Sequence, residues 1–145
     1  MVGNDFSILI VDDHEPTRDG LITLLGAQHR CIAAASAEEA IRLLAARSFN
    51  LVLTDIHMPG ASGLELCRVV QRLSPDTLVI VVSGMADIRY RIEALRLGIL
   101  YYIEKPIDPE QLFALVESAL RCQTLVAARH RHDEPATQWH KAKAS

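Results

Sequence analysis

The 145-residue sequence predicts a doubly wound α/β domain, in which helices cover both faces of a five-stranded parallel sheet. Three observations lead to this fold class. Short apolar runs recur along the chain, amphipathic segments with helix-capping residues separate them, and the links between the two are short. A strand that alternates with helices over short links favours parallel pairing with its neighbours. The length indicates a single domain.

The strands are predicted from apolar runs that are continuous rather than alternating. A continuous run is typical of a strand buried on both faces, which is the usual setting in a parallel sheet. The runs are SILIV (7–11), CIAAA (31–35), LVLT (51–54), LVIVV (78–82) and LYYI (100–103). We therefore expect all five strands to be buried on both faces.

The first three helices are predicted from apolar spacing and from their first residues. Residues 15–26 carry leucines at helical spacing. Ser36 with Glu39, and Ser62 with Glu65, match the capping box, in which each side chain binds the other residue's backbone N–H. An apolar stripe follows each of these two pairs, so a helix is expected after both.

The ends of the later helices are also marked in the sequence. Pro75 predicts that the third helix stops just before it. Residues 87–97 are predicted as the fourth helix, which Gly98 ends. Asp108 as the cap and Pro109 at the first helical position predict the start of the fifth helix.

Charge and hydropathy argue against two classes of partner. The formal net charge is −3, and residues 125–145 are net basic, so residues 1–124 form an acidic body. An acidic body argues against direct binding of nucleic acid. No apolar run approaches the roughly 18 residues of a membrane span, and the first residues lack the pattern of a signal peptide. We expect a cytoplasmic protein that contacts no membrane.

The domain boundary and the cysteines complete this outline. Residues 1–124 are predicted to form the domain, and 125–145, polar and without periodicity, the end of a helix and a flexible tail or truncated linker. Cys31, Cys67 and Cys122 are odd in number and far apart. Buried reduced thiols are therefore expected rather than a disulfide framework or a zinc site.

Polar side chains that could bind a ligand or take part in a reaction follow four of the predicted strands. Asp12 and Asp13 follow the first strand, Asp55 the third, Ser83 the fourth and Lys105 the fifth. The carboxyl ends of parallel strands meet at one edge of the sheet, so these side chains are expected to converge there. Two carboxylates about 4 Å apart repel by roughly 4 kcal/mol at an effective dielectric near 20, so this cluster predicts a bound cation.

The donor set indicates which cation and which chemistry. Carboxylate oxygens suit Mg²⁺, which commonly binds one or two carboxylates together with phosphate oxygens. Such an ion screens a phosphoryl group from the carboxylates, so that one of them can attack phosphorus. The ammonium of Lys105 and the hydroxyl of Ser83 would stabilise the phosphoryl oxygens.

Four stretches resemble the motifs of bacterial two-component response-regulator receiver domains. They are ILIVDDHE, LVLTDIHMPGASGLEL, VVSG and YIEKP, and they occur in the same order and on the same strands, within residues 7 to about 122. The resemblance implies the flavodoxin-like (βα)5 receiver fold with strand order 2-1-3-4-5. It also implies a signalling domain with slow self-dephosphorylation rather than an enzyme in the usual sense.

The resemblance assigns a phosphoacceptor and its metal ligands. Asp55 resembles the residue that takes a phosphoryl group from a histidine kinase or phosphotransfer protein in a Mg²⁺-dependent reaction, with Mn²⁺ as the alternative ion. Asp12, Asp13, Asp55 and the backbone carbonyl of His57 match the positions that hold the ion.

The resemblance also assigns a switch. Ser83 and Lys105 match the residues that bind the phosphoryl group, and the peptide bond between Lys105 and Pro106 is expected to be cis. Tyr102 lies at the position of the switch aromatic residue, and Gly84 would leave space for it to turn inward. A packing tyrosine without a switch role is the alternative.

The resemblance says less about two features: the residues that vary among receiver domains, and the output of the switch. His57, Gly84 and Met85 lie where the phosphoryl lifetime is tuned, although a plain exposed histidine fits position 57 equally well. Residues 87–122 would form the face that phosphorylation remodels. The implied partners of that face are a downstream effector domain or protein and a second copy of the chain.

Two other functional classes fit parts of the pattern. A Mg²⁺-dependent aspartyl-phosphate phosphohydrolase often carries a second Asp two residues after its nucleophile, where this chain has His57. A pseudo-receiver that binds partners without phosphate would not need the complete set of five polar residues. Taken alone, Asp12 and Asp13 would also fit a cap of the first helix.

Overall fold

A computed structural model of the chain describes residues 6–84, 88–99 and 101–125. Strands and helices alternate along the chain as predicted. The elements are β1 (Ser7–Val11), α1 (Glu15–Gly26), β2 (Arg30–Ala34), α2 (Ala37–Ala46), β3 (Leu51–Thr54), α3 (Gly63–Leu73), β4 (Leu78–Ser83), α4 (Ile88–Arg96), β5 (Tyr101–Glu104) and α5, which is helical over 109–125 in the described part. The predicted tail beyond residue 125 lies outside the described residues.

The five strands form one parallel sheet in the order β2-β1-β3-β4-β5, which confirms the expected topology. Strand β1 pairs with β2 on one side and with β3 on the other, with Leu9 opposite both Ile32 and Val52. The chain therefore changes direction across the sheet at β1. Ligands of open α/β sheets bind at such a switch point, outside the carboxyl ends of the strands.

Helices cover both faces of the sheet, and the strands supply side chains to both layers. Ile8 and Ile10 pack with α1 and α5, whereas Leu9 and Val11 pack with α2, α3 and α4. All four of these β1 side chains are buried. This alternation explains why the central strands are continuous apolar runs.

The expectation of complete burial is wrong for the two outer strands. In β2 only Ala34 is fully buried, and the residues of β5 are half-buried or exposed. Both strands lie at the edges of the sheet, where each has a partner on one side only. Their positions also differ by one residue from the apolar runs, because β2 begins at Arg30 and β5 includes Glu104.

The start of α1 differs from the capping alternative for Asp12 and Asp13. The cap is His14, whose Nδ1 accepts a hydrogen bond from the Thr17 N–H at 3.4 Å. Asp12 instead accepts the His14 N–H at 2.9 Å. The two aspartates are thus left for the carboxyl edge of the sheet.

The predicted capping boxes form at α3 and in part at α2. At α3 the box is complete, because Ser62 and Glu65 each bind the other's backbone N–H. At α2 the Ser36 hydroxyl accepts the Glu39 N–H, but the Glu39 carboxylate accepts the N–H of Ala35 instead of that of Ser36.

The other predicted helix ends are confirmed where the structure describes them. Ser74 is the C-cap of α3, and Gly98 has φ +83° after α4, a conformation that favours glycine. The Asp108 side chain accepts the N–H of Glu110 at 3.0 Å at the start of α5. The first predicted residue of the fourth helix, Asp87, lies outside the described residues.

The three cysteines are free thiols with different degrees of burial. Cys67 is fully buried, whereas Cys31 and Cys122 are half-buried. Burial raises the pKa of Cys67 to about 12 and that of Cys31 to about 11.

Within the described ranges no helix has the length and apolar character that crossing a membrane requires.

A polar pair fixes α5 against the first strands. The His29 side chain is fully buried, and its Nε2 lies 2.7 Å from Glu117 Oε2 on α5. The Phe6 N–H donates to the other ring nitrogen, Nδ1, at 3.5 Å. Since Nδ1 accepts, Nε2 is the ring nitrogen that donates a hydrogen bond to Glu117 Oε2.

Replacing Glu117 with Ala is expected to destabilise the fold. The change leaves the buried N–H of His29 without an acceptor, which costs about 1–3 kcal/mol of unfolding free energy. Urea denaturation followed by far-ultraviolet circular dichroism measures this loss. Glu117→Gln keeps an acceptor oxygen and should lose less. Equal midpoints for Glu117→Ala and the wild type would show that the pair does not support α5.

Candidate functional site

The carboxylates meet because backbone hydrogen bonds continue past the ends of β1 and β3. The Asp12 N–H donates to the Ala34 carbonyl at 3.1 Å, and the Asp55 N–H donates to the Val11 carbonyl at 3.0 Å. Oxygens of Asp12, Asp13 and Asp55 all lie within 4.8 Å of one another. Asp12 and Asp55 are buried, and Asp13 is exposed, so the cluster opens to solvent on one side.

Lys105 bridges the two buried carboxylates. Its Nζ lies 3.3 Å from Asp12 Oδ2 and 3.3 Å from Asp55 Oδ2. Burial alone lowers the pKa of Lys105, but the negative charges of Asp55 and Asp12 and the hydrogen bonds to them outweigh it, so that this pKa lies above its usual value. The side chain is therefore a fixed positive charge at neutral pH.

The donor set of the cluster fits a divalent cation. Each buried carboxylate has one anchored oxygen, because Asp12 Oδ1 accepts the His14 N–H and Asp55 Oδ1 accepts the Ile56 N–H at 2.7 Å. Three carboxylates against the single ammonium of Lys105 leave two negative charges uncompensated within the cluster. Hard oxygen donors with this excess charge match Mg²⁺.

Ser83 lies at the same edge of the sheet. The Lys105 N–H donates to the Ser83 carbonyl at 2.9 Å, so the ends of β4 and β5 are held side by side. The Ser83 side chain is fully buried. A Cβ added to Gly84 would lie 3.9 Å from Lys105 Cδ, an ordinary contact. The peptide bond between Lys105 and Pro106 is cis, and Met85 lies outside the described residues.

His57 and Tyr102 both contact side chains of α4. The His57 ring packs edge-on against Tyr90, with ring centroids 4.8 Å apart, and its Nε2 is buried. The plain exposed histidine is therefore wrong for position 57. The half-buried Tyr102 ring lies 5.2 Å from the guanidinium carbon of Arg91. Helix α4 thus contacts both the loop after Asp55 and the aromatic residue on β5.

A family model for the response regulator receiver domain matches residues 8–117. The chain belongs to this family. Receiver domains are signalling modules of two-component systems, and the match includes residues of all five strands of the sheet. The resemblance stated from the four sequence motifs is confirmed.

Individual relatives agree with this receiver domain along most of its length. This chain is 35% identical over 124 residues to the phosphate regulon transcriptional regulatory protein PhoB of Pseudomonas aeruginosa. The alignment covers 83% of this chain and 53% of PhoB. The signal receiver domain of an HD domain-containing protein from Pseudomonas fluorescens Pf-5 has TM-score 0.84 and 30% identity, over 89% of this chain and 96% of that one. The BeF3-activated DrrB receiver domain has TM-score 0.75 and 27% identity, over 81% and 98%.

The receiver domain is one part of its curated relatives. The chain spans between 26% and 53% of the lengths of four such proteins, which are transcriptional or response regulators by name. The activities of those longer proteins as a whole are therefore not transferred to this chain by the match.

Three residues that support the site were missed in the sequence. The Arg18 Nη1 donates to the Asp12 carbonyl oxygen at 2.8 Å, which fixes the backbone between the two aspartates. The Ala61 N–H donates to the carboxylate of Glu38 on α2. Gly63 begins α3 and lies against the backbone of Asp55, just after β3. Each contact joins separate segments, so local spacing carried no signal for it.

Gly63 is needed because the backbone behind Asp55 is too close for a side chain. A Cβ at Gly63 would lie 2.0 Å from the carbonyl oxygen of Asp55. The Gly63 N–H also donates to the Ile56 carbonyl at 3.0 Å. The start of α3 therefore packs on the peptide that carries the candidate acceptor.

Gly63→Ala is expected to destabilise the receiver domain by about 1–3 kcal/mol, because α3 must move away from the Asp55 carbonyl to relieve the overlap. Urea denaturation measures the change. Gly20→Ala is the matched control, since Gly20 lies in α1 with no atom within 4 Å of an added Cβ. That change should stabilise by about 0.4–1 kcal/mol. Equal responses of the two variants would contradict the close packing at Gly63.

Proposed function

We propose that this receiver domain accepts a phosphoryl group on Asp55 from a histidine kinase or phosphotransfer protein, in a Mg²⁺-dependent reaction. The observation that carries the proposal is the position of Lys105 Nζ, at 3.3 Å from the carboxylates of both Asp12 and Asp55. A fixed cation beside a carboxylate cluster suits the transfer of a charged phosphoryl group, which depends mainly on positioning and on charge neutralisation.

The proposed ion would be held by Asp12, Asp13, Asp55 and the backbone carbonyl of His57, with Mn²⁺ as an alternative to Mg²⁺. When bound, the ion neutralises charge on the phosphoryl oxygens and on the carboxylates. The oxygens of the three aspartates are already within 4.8 Å of one another, which supports a shared site.

The transfer itself is assigned to Asp55. One carboxylate oxygen attacks phosphorus, the bond between phosphorus and the donor's histidine nitrogen breaks, and that nitrogen keeps the electron pair. The backbone N–H groups of Ile56 and His57 lie 2.7 and 3.3 Å from Asp55 Oδ1 and orient the carboxylate. Lys105 and Ser83 would donate hydrogen bonds to the phosphoryl oxygens.

The proposed output is a change at the face formed by α4, β5 and α5, within residues 87–122. Phosphorylation adds about −1.5 to −2 charges and three acceptor oxygens beside Ser83. Movement of Ser83 towards them would let Tyr102 turn inward and change its contact with Arg91. Conversion from 1:99 to 99:1 needs about 5.5 kcal/mol, which several charge-assisted hydrogen bonds can supply.

Further assignments belong to this proposal. His57, Gly84 and Met85 would tune the lifetime of the phosphoryl group, and hydrolysis by the chain's own residues would be slow. Residues 1–124 would form the receiver unit, with 125–145 as a tail or linker. The face would act on a downstream effector domain or protein, and no direct contact with nucleic acid or membrane is proposed.

Phosphorylation is tested with acetyl phosphate and Mg²⁺, read by intact-protein mass. We expect the wild type to gain the mass of one phosphoryl group, and to gain none when a chelator removes Mg²⁺. Asp55→Asn should take up none, because its neutral amide is not a nucleophile. Asp19→Asn, an exposed change on α1, is the control and should react as the wild type does. Equal uptake by Asp55→Asn would overturn the assignment.

The output face is tested by solution mass with and without beryllofluoride and Mg²⁺. Ile88, Ile92 and Leu95 on α4 are 69%, 43% and 64% exposed, so the face offers apolar area to a second copy. We expect the mass to move from monomer towards dimer on activation. Ile92→Glu should prevent the shift, whereas Leu73→Glu, exposed on α3 outside the face, should not. An unchanged wild-type mass would contradict activation-driven dimerisation.

A further inference from the structure

We propose that Glu38 is a positioning residue that holds the phosphoacceptor loop from the neighbouring helix α2. The phosphoacceptor loop is defined as residues 55–62, between β3 and α3. The inference rests on the proposed function, because this loop carries both Asp55 and the His57 carbonyl that would bind Mg²⁺. Glu38 is not among the residues proposed to hold the ion or the phosphoryl group.

The contact between Glu38 and the loop is direct. The Ala61 N–H donates to Glu38 Oε2 at 2.9 Å, across 23 positions of sequence. This hydrogen bond is the largest cause that lowers the pKa of Glu38 below its usual value. The carboxylate is thus ionised at neutral pH, and a hydrogen bond to an ionised acceptor is stronger than one between neutral groups.

Gly60 gives the carboxylate room to reach the loop. Its φ is +82°, in the region that favours glycine, and a Cβ there would lie 2.8 Å from Glu38 Oε2. The side chain of Glu38 therefore lies against the backbone of Gly60 as well as that of Ala61. A glycine at this position serves the turn and also the close approach of α2.

The first residues of the loop also contact other elements, because Asp55 binds the Val11 carbonyl and Lys105, and the His57 ring packs on Tyr90. At its start, Ile56 and His57 donate to the side chain of Asp55. At its end, the Ser62 N–H donates to Glu65 on α3 at 3.0 Å. The bond from Glu38 differs from these because it comes from α2 and holds Ala61, near the end of the loop.

The position of the loop matters for the proposed ion. Mg²⁺ requires a near-ideal octahedron with ligands at about 2.0–2.1 Å, so a small displacement of the His57 carbonyl weakens binding. Loss of outer-shell partners typically costs about 10- to 100-fold in metal affinity. Glu38 is exposed and acts through the backbone of the loop, so we expect about a fivefold loss.

The experiment compares Glu38→Ala with Glu38→Gln and Glu39→Ala. Glu39 is the matched control, because it also accepts one backbone N–H, from Ala35 at 2.8 Å, and among the described residues it has no hydrogen bond to the loop. Amide hydrogen exchange read by mass spectrometry reports the loop, and calorimetric titration reports Mg²⁺ affinity. Urea denaturation shows whether each variant is folded.

Glu38→Ala should speed exchange at the Ala61 amide and weaken Mg²⁺ binding by about fivefold. Glu38→Gln, which keeps an uncharged acceptor, should fall between it and the wild type. Glu39→Ala should keep wild-type affinity and loop exchange. Wild-type affinity in Glu38→Ala would overturn the inference, whether or not exchange changes. A wild-type chain that binds no Mg²⁺ would overturn the proposed function itself.

Discussion

The structure of the site depends on the placement of one ammonium between two buried carboxylates. Asp12 and Asp55 follow adjacent strands, so the backbone pairing of β1 with β3 forces their side chains together. Without a counter-charge this proximity would cost several kcal/mol. Lys105 supplies that charge from β5, two strands further along the sheet. Asp13 adds a further carboxylate, so the three carboxylates outnumber the one ammonium. The fold therefore creates a site that favours a cation.

The apolar layers explain why such a cluster can be tolerated. The central strands send alternate side chains into two packed layers, and their side chains are almost completely buried. This rigid sheet holds the ends of β1, β3 and β4 in register, while the loops beyond them carry the polar groups. The cost of gathering like charges is offset by the core, and the charges meet where the strands end. Lys105 is itself tied to β4 through the Ser83 carbonyl, so the counter-charge shares the same frame.

The sheet and the meeting of Asp12, Asp55 and Lys105 were predicted from where the strands end, and the strand order was predicted from the resemblance to receiver domains. The sequence mispredicted the burial of β2 and β5, since an apolar run does not show how many neighbours a strand has. Contacts between distant segments were also missed. The close approach of Gly63 to Asp55 and the bond from Glu38 to Ala61 appear only once α2, α3 and β3 are packed together. Position 57 is another example, because the sequence does not show that its histidine packs on Tyr90 of α4.

Under the proposed function, the contacts of Asp55 would also affect the lifetime of a phosphoryl group bound there. Among the described residues, its carboxylate receives hydrogen bonds from two backbone N–H groups and from Lys105. All three are donors, and the raised pKa of Lys105 keeps that side chain protonated, so it cannot take a proton from an attacking water. The ring of His57 packs edge-on against Tyr90. Under the proposed function, these contacts stabilise charge on the acceptor without activating water. They agree with the proposed slow hydrolysis, which a signal requires because the phosphoryl group must last long enough to be sensed.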